Sequence, residues 1–128
     1  MPNGFHGSRE EWEQLEAPLL ELDDRIWAFA EPRGLHCVRN YHNWPNRSVS
    51  WKRGDMERKV EISLVQGAPK TYDICVLAWR DVQRTRYAKK ADVKRRVSFA
   101  ELSARLERFL DEGIALANSW PEGNLERT

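Results

Sequence analysis

The sequence predicts an α+β domain, an antiparallel sheet of four to five strands flanked by an N-terminal and a C-terminal helix. Three observations predict it. Apolar residues recur with a helical period before Pro32 and after Ser98, and with a period near 2 between them. Turn-forming residues punctuate the middle of the chain at Pro32/Gly34, Pro45-Asn46, Gly54-Asp55 and Gln66–Pro69. The chain has 128 residues, which fits one domain able to bury a core without disulfide or metal support. Residues 1–7 and 122–128 are expected to fray at its ends.

The first helix opens at Ser8, since Ser8-Arg9-Glu10-Glu11 has the spacing of a reciprocal capping box. Trp12, Leu15, Leu19, Leu22, Ile26 and Phe29 then follow at alternating steps of 3 and 4, which places them on one helical face. Pro18 conflicts with that pattern, because a mid-helix proline removes a hydrogen bond and crowds the preceding turn. Either the helix kinks there, or a first piece ends near Glu16 and a second begins with Pro18 in its first turn.

The strands come next. Leu35–Trp44 is rich in strand formers, and Val49, Trp51 and Arg53 share a face of a second strand. Met56, Val60, Ile62 and Leu64 alternate with Glu57, Lys59, Glu61 and Ser63 as a half-buried strand does. Tyr72–Trp79 is apolar at both parities, which predicts a strand covered on both faces. Arg84–Lys90 is suited to a charged edge strand. A second capping box, Ser98-Phe99-Ala100-Glu101, starts the final helix with Val97 as a hydrophobic staple. Leu102, Leu106, Phe109, Leu110, Ile114 and Ala117 form its apolar face, and Trp120-Pro121 stops it.

Composition narrows function. No apolar run approaches the ~20 residues of a membrane span, and no secretory signal is recognised at the N-terminus, so a cytoplasmic protein without a membrane partner is expected. The net charge of +1 conceals a division. Residues 1–31 carry −6, residues 80–96 carry +6, and residues 97–128 carry −3. Such a layout bears on partners and association rates.

The chemical candidates are few. His36, Cys37 and His42, with Cys75 on another strand, are metal-ligand types, but strand alternation sends Cys37 away from the two histidines. No metal and no cofactor are expected. Cys75 with His42 and Asp73 would make a thiol nucleophile only in a polar, electropositive setting, and Cys75 lies in an apolar run. Glu10/Glu13 and Glu13/Glu16 sit on the polar helical face, where a solvated surface or an acidic docking patch is the natural reading. No catalytic residue is assigned.

Two surfaces remain. Arg84, Arg86, Lys89, Lys90, Lys94, Arg95 and Arg96, with Tyr87 among them, would suit nucleic-acid phosphates and bases. Tyr41, Trp44, Arg47 and Trp51 fall within eleven residues around Pro45 and belong to the types that dominate protein–protein hot spots. The expectation is therefore a non-catalytic protein-binding module contacting its partner through Tyr41, Trp44, Arg47 and Trp51. A nucleic-acid-binding accessory domain is the first alternative, and a ligand-binding protein or enzyme with a pocket between sheet and helix is the second. A homodimer is left open.

The α-β-β-β-β-α layout, the small size and the tryptophan-bearing loops resemble small bacterial immunity-type proteins, which antagonise toxins. That resemblance implies a cytoplasmic, non-catalytic protein that blocks a partner, using either the acidic first helix or the Trp44/Arg47/Trp51 region.

Overall fold

The computed structural model describes residues 5–54, 56–80 and 89–120. Its elements, in order, are α1 (Arg9–Leu20), α2 (Asp23–Ala30), β1 (His36–Arg39), β2 (Asn46–Arg53), β3 (Met56–Leu64), β4 (Thr71–Arg80), β5 (Lys89–Ser98) and α3 (Phe99–Asn118). The five strands form one antiparallel meander in the order β1-β2-β3-β4-β5. This is the predicted α+β architecture, with the helices on one face: α3 packs on β3, β4 and β5, and α2 packs on β1.

The Ser8 capping box forms in full, since the Ser8 hydroxyl accepts from Glu11 N–H and the Glu11 carboxylate accepts from Ser8 N–H. Pro18 lies inside α1, and the break comes later, at Glu21–Leu22, where Leu22 N–H turns back to Leu19 O at 2.9 Å. No second helix therefore starts at Pro18. The tightened turn still keeps Leu19, Leu22, Ile26 and Phe29 buried along one stripe, so the hydrophobic spacing survives the change of helix.

β1 is shorter than predicted. It ends at Arg39 because Asn40, His42 and Asn43 all take positive φ, which curls residues 40–44 into a turn. Pro45 therefore leads into β2 instead of closing a long first strand. In β3, Met56, Arg58, Val60, Ile62 and Leu64 all face the helices, Arg58 among them. β4 is buried at both parities as expected, with Ile74 and Val76 under the helices and Cys75 and Leu77 on the opposite face. Of the predicted basic edge strand, Lys89 and Lys90 lie in β5, and residues 84–88, Arg84, Arg86 and Tyr87 among them, lie outside the described residues. β5 is bulged near Asp73 and Val93, and Arg96 takes φ 55°, devices that blunt an edge against further pairing.

α3 begins at Ser98, whose hydroxyl accepts from Glu101 N–H. Gly113 lets this helix approach the sheet: an alanine Cβ there would stand 2.8 Å from both Val60 methyls and 3.2 Å from Val76 Cγ1. Gly113→Ala is expected to lose about 1–2 kcal/mol, because overpacking outweighs the gain of about 1 kcal/mol in helix propensity. Denaturant midpoints measure it. A variant as stable as the parent would show that the two valines can yield.

Candidate functional site

The Tyr41–Trp51 segment is ordered by its own hydrogen bonds. Asn46 clasps the turn, its Oδ1 accepting from Tyr41 N–H at 2.8 Å and its Nδ2 donating to Tyr41 O at 2.9 Å. Trp44 is half-buried and its indole N–H donates to Leu64 O at 2.8 Å. Trp51 is also half-buried, and its indole N–H donates to Asn118 Oδ1 at 3.0 Å. Tyr41 is 43% exposed, packed edge-on to His42, with Lys59 Nζ 4.2 Å from its ring centroid.

Arg47 stands apart. Only 2% exposed, it donates from Nε and Nη2 to the two Asp23 oxygens at 2.6 and 3.2 Å. Nη2 also donates to Glu16 Oε2 at 3.1 Å, and Nη1 to Asn40 Oδ1 and Asn46 O at 2.9 and 3.0 Å. The five N–H groups of a guanidinium are thus matched by five contacts. Arg47 is an internal strut between β2 and the first two helices, and its side chain is withdrawn from any outer surface. The four residues grouped by sequence therefore do not share one face: Tyr41 lies over Lys59 on the helix-free side of the sheet, and Arg47 and Trp51 point to the helix side.

The surface signal lies elsewhere. Among described residues the exposed large apolar side chains are Trp27 (58%), Leu20 (49%) and Tyr41. Asp24, Trp27, Ala28 and Glu31 are spaced as one helical face, all exposed, and Leu20 and Glu21 just before α2 are exposed too. The result is an apolar stripe edged by carboxylates. Sequence reasoning missed it, although a signal existed: Leu20 and Trp27 are large apolar residues standing one position off the buried stripe. Glu16, by contrast, leaves the acidic face. Burial works to raise its pKa, but hydrogen bonds from Asn40, Arg47 and Trp12 and the Arg47 charge prevail and hold it below the usual carboxylate range.

The thiols do not make a catalytic centre. Burial pushes Cys75 up to about 11, with the Glu61 charge adding to it, which is the reverse of an activated nucleophile. Asp73 accepts from Arg96 N–H at 2.9 Å, and His42 is exposed beside Tyr41. Burial also raises Cys37, which faces the helices opposite Val49. Among the described residues no three His, Cys, Asp or Glu are placed to hold a metal ion.

Lys89, Lys90, Lys94, Arg95 and Arg96 are exposed on β5, and Lys89 Nζ sits 5.2 Å from the Trp120 ring centroid. By register, the helix-free face of the sheet carries Lys52, Lys59 and Lys90 together with Glu57, Glu61, Asp73 and Asp92. Among the described residues that mixture lacks the single-sign field that phosphate backbones favour.

A groove of about 460 Å³ opens between α3 and the turn after α2, where Arg33 and Gly34 meet Trp51, Lys52 and Asp111. Comparison with known protein families, curated proteins and solved structures returned no match for this chain.

Proposed function

We propose that this protein is a non-catalytic protein-binding module that docks through the outer face of α1 and α2 onto a basic, amphipathic surface of its partner. The observation that carries the proposal is Trp27, more than half exposed on α2, in a stretch where Leu20, Glu21, Asp24 and Glu31 are exposed as well. A tryptophan anchor ringed by charge is the usual composition of an interface centre and rim. The carboxylates select a basic partner and speed its approach, and the indole supplies the holding energy. An immunity-type antagonist, blocking a partner by covering it, is the form of module we favour. Both cysteines are unpaired, which suits residence in the reducing cytoplasm.

Tyr41 belongs to the proposal as a second contact on the opposite side of the sheet, with Trp44 and Trp51 positioning the segment from within. Arg47 contributes indirectly, by fixing α1–α2 to the sheet.

A photo-crosslinking residue at position 27, and a control at position 95, tests the docking face in cells of the source. One protein should be captured from 27 and not from 95. Trp27→Ala should weaken that complex at least about 30-fold while leaving the melting temperature within a few degrees, because an exposed side chain contributes little to stability. Capture from position 95 alone, or unaltered affinity in Trp27→Ala, would defeat the proposal.

A further inference from the structure

The groove between α3 and the post-α2 turn has an uncommon division of charge. Arg33 forms one wall. Its guanidinium carbon lies 3.8 Å from the Phe29 ring centroid, and Nη1 donates to Phe29 O at 2.8 Å, so the group is held in place with N–H donors to spare. Asp111 also lines the groove, contributed by α3 and on the same side of that helix as Ile114 and Asn118 by their spacing of 3 and 4. Neither Arg33 nor Asp111 has an ion-pair partner among the described residues, although both line one groove. The rest of the lining includes the apolar Leu35, Ile114 and Trp51, whose indole N–H donates to Asn118, beside Gly34 and Lys52.

We propose that this groove binds a small zwitterion with an apolar body, of the class of a short peptide with free ends. Its carboxylate would pair with Arg33, which a planar guanidinium does in two-point fashion. Its ammonium would face Asp111, and its side chain would lie against Trp51. A simple anion fits less well, because Asp111 repels it. A simple cation meets Arg33. The volume lies within the range of ligand pockets and accommodates a dipeptide. The groove and the α1–α2 stripe rest on different residues, so the two proposals stand or fall separately.

The test is a titration of the isotope-labelled protein, followed by amide and indole NMR shifts, with three probes: alanyl-phenylalanine, its N-acetyl form and its C-terminal amide. The free dipeptide should move the Trp51 indole, Gly34 and Asn118 signals. Each blocked form should bind about tenfold or more weakly, the difference expected when one charged hydrogen-bonding group is removed. Arg33→Gln should abolish the advantage of the free acid over the amide, and Asp111→Asn the advantage of the free amine over the acetylated form. Both side chains are exposed, and an unchanged melting curve verifies that each variant folds. Equal binding of all three probes, shifts outside the groove, or no shift at 10 mM (about the weak limit for so small a ligand) would each overturn the proposal.

Discussion

Arg47→Ala is expected to lower stability by about 3–5 kcal/mol, the range seen when one partner of a buried ion network is removed. For a domain of this size that is about 10–20 °C in melting temperature. The substitution deletes five hydrogen bonds at once and strands the acceptors that received them. Asp23 and Glu16 retain 23% and 13% side-chain exposure, so water rehydrates them in part and the lower half of the range is the better expectation. Asp23 also accepts from Arg39 at 3.2 Å, and Glu16 from Trp12 and Asn40, so each keeps some company after the change. Arg47→Met with Glu16→Gln and Asp23→Asn should recover part of the loss, because it removes the stranded charges as well. The pH dependence follows from Glu16. Its folded pKa is lowered, so its contribution is full above its unfolded value and disappears as pH falls through the folded value. Acid should therefore destabilise the parent more than it destabilises Arg47→Ala. Denaturant titrations across the acid range measure both effects, and an Arg47→Ala protein within 1 kcal/mol of the parent would show the network to be energetically idle.

That network marks the boundary of what the sequence discloses. Periodicity announced the helix stripe, the alternation of β3, the two-sided burial of β4 and the start of α3, because each is a repeated local choice agreeing with a single global fold. The end of β1 was concealed, since positive φ at Asn40, His42 and Asn43 belongs to residue types that tolerate it without requiring it. The break after Pro18 was misplaced for a related reason. A proline penalises the preceding turn, yet the stripe through Leu19 and Leu22 stabilises a helix that runs past it. At the site, composition grouped Tyr41, Trp44, Arg47 and Trp51, and no local rule shows that an arginine will face two acids 24 and 31 positions earlier. Exposure is a three-dimensional property. Trp27 could have been separated from the core only by noting its phase, one step off the buried face. The groove was invisible in the sequence because its walls are about 80 residues apart.

Arg58→Ala is expected to cost about 3 kcal/mol and to loosen one end of one helix. Its position in β3 follows the core-facing parity, where Met56, Val60, Ile62 and Leu64 are its neighbours, and it is 1% exposed. A charge survives there because it has something to bind. Nε donates to Ala117 O and Nη2 to Trp120 O, both at 3.2 Å, at the end of α3, where Ala117 O also accepts from Trp120 N–H. The cation also meets the negative end of the helix dipole. Removal strips Trp120 O of the guanidinium, leaves Ala117 O to its bond from Trp120 N–H, and opens a cavity beneath Trp120, which is itself buried. Arg58→Lys keeps the charge but has no fork to span two carbonyls, and should cost about half as much. Hydrogen exchange distinguishes a clamp from a simple core residue. In Arg58→Ala, amide protection should collapse selectively at residues 115–118 while Leu106–Leu110 remain protected. Because Asn118 holds the Trp51 ring, the same variant should bind alanyl-phenylalanine more weakly, although Arg33 and Asp111 are untouched. Uniform loss of protection along α3 would mean that Arg58 serves the core as a whole, and unchanged protection would mean that the helix end needs no clamp.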